Sequence, residues 1–272
     1  MRFGIKQTNL DLPAQYWLKS SLSAESVITD GFMDVGYAGS ATKFPTLAEL
    51  QNMSIDSKRE VLLVDSKQDP KFVKMVNILN DNYALLSLAE KFRAVAVLVF
   101  HVSGGHLTNG DGNSSSYRFR IAELKNTSHS NIILIGSIDQ GTFYHRALLF
   151  KALADRLGLT PCSVVRGEYG RAWNVINPKL MNHAPRTERI PTPGEKSDKS
   201  EKQEKADRND KQAAANRAAV PLDAIDEQFI QVINSSTTAL EIPDGPCIID
   251  LMYEPGELIL LDTPKANEYQ RI

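Results

Sequence analysis

The sequence predicts an α+β fold in which a helix packs on an antiparallel sheet. Residues 143–157 are mostly good helix formers, and Gly158 follows them as a helix stop. Two strand-like stretches, 161–166 and 171–176, come directly afterwards with a glycine-containing turn between them. A helix followed at once by two strands and a tight turn indicates a hairpin that lies beside that helix.

The N-terminal part of the chain contains two weaker features and one short helix. Residues 13–20 are aromatic and amphipathic, and residues 30–36 are rich in turn formers. The stretch 45–50 begins a short helix, with Thr46 as a candidate cap and Glu49 three residues later.

A strand and a long helical pattern follow. Residues 60–65 form an apolar run that a turn signal ends, which is typical of a buried strand. From Asp69 onward, apolar residues recur at helical spacing to about His101, with a break near Asp81, and the glycine pair 104–105 provides a stop. Two further segments complete this half, a flexible polar loop at 109–116 and a short strand at 132–135.

Composition changes abruptly between residues 183 and 219. Lys, Glu, Asp, Gln and Ala dominate this segment, and it contains no aromatic residue. The apolar area of this segment is too small to offset the entropy lost on ordering it. We therefore expect a charged insertion at 184–219, disordered or loosely helical, within a single domain that covers residues 1–272. The returning strands are predicted at 228–233, 246–251 and 258–261, with a turn at Pro255 before the last one.

Length and charge exclude several classes of protein. The chain has 272 residues, a formal net charge of −2 and 42% hydrophobic residues, enough for one sizeable core. Near-neutral charge gives no electrostatic reason to expect nucleic acid or an anionic membrane as partner. The most apolar run, 94–102, is too short to cross a membrane, and the polar N-terminus does not look like a signal peptide. We therefore expect a cytoplasmic protein without membrane insertion.

No cofactor or metal site is predicted. The glycines near residue 110 are not followed by the Gly-Lys-Ser/Thr of a phosphate-binding loop. His101 and His106 have no cysteine or carboxylate at the spacing of metal ligands, and we expect one of them to be exposed and the other partly buried. The two cysteines, Cys162 and Cys247, each follow a proline on an apolar strand, which indicates buried, inert thiols.

One stretch has the layout of a papain-type or transglutaminase-type active site whose nucleophile is missing. In that layout a glycine turn opens a helix with cysteine in its first turn, histidine begins a following strand, and a carboxylate lies on a later strand. Here Phe143 stands at the cysteine position, Arg171 at the histidine position and Asp250 at the carboxylate position. Phenylalanine is no nucleophile, and arginine is always protonated and cannot act as a general base. We interpret Phe143 as a plug in the former cleft.

The remaining polar residues of this region have alternative roles. Arg171 could form an ion pair with Asp250 and turn the last two positions into a structural clamp. Four further residues are candidates for lining or supporting the cleft: His145 as a hydrogen-bonding residue at the helix start, Arg146 as a ligand of a carboxylate or a backbone carbonyl, and Trp173 and Asn174 in a groove or in the core.

Residues 141–174 and 248–258 together resemble a known peptidase-like domain. It is shared by the ethylene-response and enhanced-disease-resistance Raf-like plant kinases, at their N-termini, and by armadillo repeat-containing protein 3, at its C-terminus. The resemblance extends to the upstream stretches around Trp17, 30–35 and 45–50, and the long runs 143–151 and 166–174 are similar in particular to the armadillo type. Plant-type members carry cysteine where this chain has Phe143, which puts catalysis in doubt but not the fold.

The resemblance implies a papain/transglutaminase-like domain used for regulation or docking, and the armadillo type is associated with cilia and flagella. We therefore expect a non-catalytic interaction domain with a protein partner, in the cytoplasm and in a ciliary or flagellar assembly. Two alternatives stay open. One is a residual hydrolase or transferase that uses Cys162, Cys247 or a hydroxyl group, and the other is a cleft in which Arg146 and Arg171 hold the carboxylate of a small molecule or a peptide. A filled cleft favours the interaction domain, whereas an open cleft with both arginines exposed favours carboxylate binding.

Overall fold

The computed structural model describes residues 21–36, 47–57, 60–82, 86–106, 115–159, 161–167, 170–177 and 243–271. Four predictions lie wholly outside these ranges: the aromatic segment 13–20, the cap at Thr46, the charged insertion 184–219 and the strand 228–233.

Two sheets are formed by the described residues. The strands are β1 (Ser21–Leu22), β2 (Phe32–Asp34), β3 (Val61–Val64), β4 (Ile132–Leu134), β5 (Cys162–Arg166), β6 (Ala172–Ile176), β7 (Cys247–Ile249) and β8 (Leu258–Leu260). The larger sheet is antiparallel throughout, with the order β1-β5-β6-β7-β8. In the smaller sheet, β3 lies between β2 and β4 and pairs in parallel with β4.

The helices are α1 (Leu47–Gln51), α2 (Pro70–Asn82), α3 (Leu88–Val102), α4 (Ser115–Ser128), α5 (Phe143–Arg156) and α6 (Pro264–Arg271), and a 3-10 turn at Ile135–Ser137 follows β4. Helix α3 begins with a capping box, in which the Ser87 hydroxyl accepts from the backbone N–H of Glu90 and the Glu90 carboxylate accepts from that of Ser87. No helix within the described ranges is long and apolar enough to cross a membrane.

The α+β class and the helix on an antiparallel sheet are confirmed. Helix α5 packs against β5 and β6 on one side and α3 on the other. The long helical pattern beyond Asp69 is the pair α2 and α3, and their boundary lies near the predicted break at Asp81. The parallel pairing of β3 and β4 and the helices α4 and α6 were not predicted. The sequence predicts a loop at 109–116, but Ser115 and Ser116 form the start of α4.

Helix α5 is buried on almost every side. Its side chains at Leu148, Phe150 and Leu153 are fully enclosed by the main core. The side chains of Lys151 and Asp155 are also fully buried and form an ion pair with 2.6 Å between Nζ and Oδ1. Asp155 Oδ2 also accepts from the backbone N–H of Ile28 at 2.8 Å. Lys151 and Asp155 are therefore buried as a matched pair, since either charge alone would be costly in such a core.

Candidate functional site

The site forms around the N-terminus of helix α5. Gly141 donates its N–H to the carbonyl of Ser103 at 3.0 Å, and a side chain at position 141 would approach the Cβ of Ser103 to 3.1 Å. Thr142 is the N-cap in an extended conformation, and Phe143 is the first helical residue. The glycine thus lets the end of α3 press closely against the start of α5.

Phe143 is enclosed rather than presented to solvent. It is 5% exposed and belongs to a cluster with the buried side chains of Ile248, Met252, Ile259, Ala266 and Tyr269. The guanidinium carbon of Arg171 lies 4.3 Å from the centroid of the Phe143 ring, within the range of a cation–π contact. The helix-start position that the sequence compares with a catalytic cysteine is therefore packed on several sides.

Asp250 stabilises a turn. Its Oδ1 accepts from the backbone N–H groups of Met252 at 2.7 Å and Tyr253 at 3.0 Å, and its Oδ2 accepts from that of Glu254 at 2.8 Å. The side chain is only 2% exposed. Three amide donors compensate the buried carboxylate and hold the connection between β7 and β8 in shape.

The ion pair that the sequence suggested between Arg171 and Asp250 does not form. Within the part of the chain that the structure describes, Asp250 is satisfied by backbone amides, whereas Arg171 covers Phe143 and its buried Nη1 has no hydrogen-bond partner. The physical reason is that local amides reach the carboxylate without ordering a long side chain.

Arg146 joins separate segments of the backbone. It is fully buried, and its guanidinium donates to the carbonyls of Gly141 at 2.9 Å, Leu251 at 3.0 Å, Ser103 at 3.1 Å and Gly105 at 2.5 Å. Burial lowers the pKa of Arg146 to about 10, which still leaves it charged at neutral pH. The sequence left two kinds of partner open for Arg146, a carboxylate or a backbone carbonyl, and in the structure its guanidinium binds backbone carbonyls.

His145 belongs to a buried polar network centred on Glu60. Its Nδ1 accepts from the backbone N–H of Thr142 at 3.1 Å, so the ring proton resides on Nε2, which donates to Glu60 Oε1 at 2.8 Å. The hydroxyl groups of Tyr117, at 2.7 Å, and of Tyr144 donate to the same carboxylate. Burial alone would raise the pKa of Glu60, but these interactions outweigh it and lower the pKa to about 2.

A hydroxyl group also approaches this histidine. Thr142 Oγ1 lies 2.8 Å from His145 Nδ1. The hydroxyl group, the imidazole and the Glu60 carboxylate are therefore connected in a row by two contacts within hydrogen-bond distance. All three residues are less than 9% exposed. Because Nδ1 already accepts the backbone N–H of Thr142, the arrangement has the geometry of a helix cap that is extended by a buried carboxylate.

Trp173 and Asn174 occupy opposite faces of β6. Asn174 is fully buried and donates to the carbonyl of Ala147 at 3.0 Å, which ties the sheet to helix α5. Trp173 is partly buried against the Phe143 cluster, and its ring also covers Gly167, where an added Cβ would lie 2.5 Å from the indole. Of these two residues, only Trp173 retains partial access to solvent.

Both cysteines have the environment of inert thiols. Cys162 and Cys247 are free and fully buried on strands β5 and β7. Burial raises the pKa of Cys162 to about 12 and also raises that of Cys247. A thiolate nucleophile is therefore strongly disfavoured at either position.

Comparison with known proteins identifies the family of this chain. The sequence profile described as EDR1/CTR1/ARMC3, peptidase-like, matches residues 9–179, which is more than half of the chain. The chain belongs to this family. The matched region includes Phe143 and Arg171 and ends before β7, so Asp250 and α6 lie beyond it.

Individual relatives of the EDR1/CTR1/ARMC3 peptidase-like family align with this chain over a limited length. Human armadillo repeat-containing protein 3 is 43% identical over 109 residues, which are 40% of this chain and 12% of that protein. The probable serine/threonine-protein kinase SIS8 of Arabidopsis thaliana is 30% identical over 57% of this chain and 16% of its own length. The serine/threonine-protein kinase CTR1 of Arabidopsis thaliana is 26% identical over 56% of this chain and 20% of its own length.

The aligned regions thus span no more than a fifth of these relatives. No solved structure matches the chain at a significant level.

The sequence did not reveal that Glu60 belongs to the site at the start of helix α5. The sequence predicts Glu60 as the start of an apolar strand, yet its carboxylate accepts hydrogen bonds from side chains of helices α4 and α5. One signal was available, because an acidic residue directly before the buried run Val-Leu-Leu-Val needs buried partners. Which donors it meets depends on how the helices pack.

Proposed function

We propose that this domain is a non-catalytic protein-interaction domain. It is a peptidase-like scaffold of the papain/transglutaminase type in which Phe143, Arg171 and Asp250 stand at the positions of a cysteine, a histidine and a carboxylate. The observation that carries the proposal is the enclosure of Phe143 between Arg171 and the apolar cluster. A ring that fills the nucleophile position leaves neither a reactive atom nor room for an acyl group beside the helix terminus.

The carboxylate-binding alternative receives less support. Arg146 is fully buried and spends its donors on four backbone carbonyls. A ligand would have to displace one of those carbonyls to reach it, which would leave a buried acceptor unsatisfied. Arg171 alone remains, and its cationic face already lies on Phe143.

Residual catalysis by a hydroxyl group is the second candidate. The contact of Thr142 with His145, and of His145 with Glu60, follows the order of a nucleophile, base and orienting carboxylate. Their shared burial and the backbone bond to Nδ1 favour a structural role. Incubation with a fluorophosphonate probe distinguishes the two roles, because modification of Thr142 in the folded protein would show an activated hydroxyl group, whereas a purely structural Thr142 stays unmodified.

The partner in this proposal is a protein, and the site of action is the cytoplasm, including a cilium or flagellum. Similarity to armadillo repeat-containing protein 3 supports this assignment. The test is expression of the tagged chain in flagellated cells with imaging of the axoneme and quantitative purification. We expect a stoichiometric partner that is retained by the variant Cys162→Ala/Cys247→Ala. Exclusion from the axoneme would contradict the ciliary assignment, and loss of the partner in that folded variant would contradict a thiol-independent interaction.

Absence of thiol catalysis is tested by labelling the folded protein with iodoacetamide from about pH 5 to about pH 9, with mass spectrometry at Cys162 and Cys247. We expect slow labelling of both, and rapid labelling of both after unfolding in denaturant. Fast labelling of one cysteine at acidic pH in the folded protein would show an activated thiolate and would overturn the non-catalytic assignment.

A further inference from the structure

A groove lies between helix α3 and the turn that joins β7 to β8. It has a volume of about 500 Å³, and its second wall is formed by residues 254–257 of the turn with Lys265 at the start of α6. The first wall is a stripe on one face of α3 that consists of Arg93, Val97, Phe100 and His101. Val97 and Phe100 are buried, so they provide an apolar surface between the charged positions.

A close backbone contact fixes the spacing of the two walls. Gly256 has φ of 90°, and a Cβ at this position would lie 2.6 Å from Cγ and 2.7 Å from Cα of Arg93. Glycine therefore allows the turn to touch α3 directly. The turn is held in turn by the amides that donate to the Asp250 carboxylate and by the N–H of Gly256, which donates to the Asp250 carbonyl at 2.8 Å. The groove is thus preorganised for a bound group.

Two unpaired charges of opposite sign lie on opposite walls of this groove. Arg93 on α3 is half-buried, and Glu254 on the turn is exposed. Within the ranges that the structure describes, neither the guanidinium of Arg93 nor the carboxylate of Glu254 has a hydrogen bond or an ion pair. The two groups therefore face the same groove without neutralising each other, and each can bind a group of opposite charge.

The other ionisable groups of the groove leave this polarity unchanged. On the turn side, Glu257 forms an ion pair with Lys265. On the α3 side, burial and the neighbouring His106 lower the pKa of His101, so the uncharged imidazole predominates at neutral pH. The α3 wall is therefore net positive, and the turn wall is net negative.

We propose that this groove docks a segment of a partner protein in which an acidic, an apolar and a basic residue are close together. The acidic side chain pairs with Arg93, the apolar one lies on Val97 and Phe100, and the basic one pairs with Glu254. A segment with two like charges would pair with one wall and be repelled by the other. The inference rests on the proposed function as an interaction domain and gives its partner a defined chemistry.

The experiment measures the binding of blocked peptides to the full chain by fluorescence anisotropy at low ionic strength. Each peptide carries one leucine between two variable positions, and their spacing is varied in the same way within every set. The mixed set has glutamate and lysine at these positions, the basic set has two lysines, the acidic set two glutamates and the neutral set two glutamines.

Three charge variants are compared with the wild type. Arg93→Glu makes both walls acidic, and Glu254→Lys makes both walls basic. Lys67→Glu is the matched control, because Lys67 is exposed and lies outside the groove. Circular dichroism tests the folding of each variant. Glu254→Lys is the safer of the two groove variants, since the side chain that it changes is exposed.

We expect the wild type and Lys67→Glu to bind the mixed set at least roughly fivefold more tightly than the neutral set, since two ion pairs form. Arg93→Glu should prefer the basic set, and Glu254→Lys should prefer the acidic set. A wild type that binds mixed and neutral peptides equally would show that Arg93 and Glu254 are merely solvated charges, and it overturns the proposal. An unchanged preference for mixed peptides in Glu254→Lys also overturns it.

Failure of the groove is distinguishable from failure of the proposed function. In quantitative purification of the tagged chain, a stoichiometric partner that the wild type and Glu254→Lys retain equally would leave the interaction domain standing. It would place docking outside this groove and overturn the inference. If the wild type retains no partner, the proposed function itself is contradicted, and with it the assignment of a protein segment to the groove.

Discussion

Arg171 lies over the face of Phe143, with 4.3 Å between the guanidinium carbon and the ring centroid. The papain-type layout proposed for this region would place a thiol and an imidazole at these two positions, whereas this chain pairs a ring with a cation. The contact couples the start of helix α5 to the start of strand β6. It therefore stabilises the geometry of the site without supplying a reactive group.

Replacement of Phe143 by alanine should destabilise the domain. The ring is 5% exposed within an apolar cluster, so we expect its loss to reduce the free energy of unfolding by about 3–5 kcal/mol. Urea denaturation followed by circular dichroism measures this change. Phe119→Ala is the matched control, because Phe119 is 74% exposed and its loss should change the free energy by roughly 0.5 kcal/mol or less. Equal effects of the two substitutions would show that Phe143 is not enclosed.

Double-mutant cycles should separate the two suggested partners of Arg171. For Arg171→Met with Phe143→Leu, we expect a coupling energy of roughly 0.5–2 kcal/mol, since both substitutions disrupt one cation–π contact. For Arg171→Met with Asp250→Asn, we expect additive effects within about 0.5 kcal/mol, since Asp250 is satisfied by backbone amides. A large coupling in the second cycle alone would restore the ion-pair hypothesis.

The Glu60 network should make stability depend on acidic pH. The pKa of Glu60 is lowered in the folded state, so its contribution is present above the ordinary value of 4.5 and is lost as the pH falls toward about 2. The difference between these values corresponds to roughly 3 kcal/mol of unfolding free energy. We expect the stability of Glu60→Gln to fall less steeply than that of the wild type between about pH 5 and about pH 2.

The comparison with Glu60→Gln isolates this residue from other buried carboxylates, such as Asp69 and Asp155, whose pKa values are raised by burial. Parallel pH profiles of the wild type and Glu60→Gln would show that the carboxylate is not held by His145, Tyr117 and Tyr144 in the folded state.

The buried ion pair of helix α5 should be far more costly to break than an exposed pair. Lys151→Met leaves the Asp155 carboxylate buried without its cation, and we expect a loss of about 3–5 kcal/mol at neutral pH. Arg120→Met disrupts pairs with Asp139 and Glu123 at the surface and should cost roughly 1 kcal/mol or less. Thermal and urea denaturation of both variants test the difference. A small effect of Lys151→Met would show that Asp155 does not depend on this cation, either because the carboxyl group is neutral without it or because water reaches it.

The local sequence pattern was sufficient to predict most of the helices and strands around the site. Helix α5, the hairpin β5–β6 and strand β3 follow from periodicity, glycine stops and apolar runs, which act over a few residues. Helix α4 was missed although Tyr117, Ile121 and Leu124 recur at helical spacing, because polar residues between them weaken the pattern. Helix α6 is shorter still, with two buried side chains as its apolar signal.

The sequence by itself determined that Phe143 and Arg171 supply neither a nucleophile nor a general base, because side-chain chemistry is a property of each residue alone. Only the tertiary structure decided the partners of those residues. Asp250 takes nearby amides, Arg171 takes the Phe143 ring, and Glu60 takes donors from two helices distant in sequence. The physical reason is that a buried polar group binds whichever partners packing brings within hydrogen-bond distance, and packing depends on contacts across the whole chain.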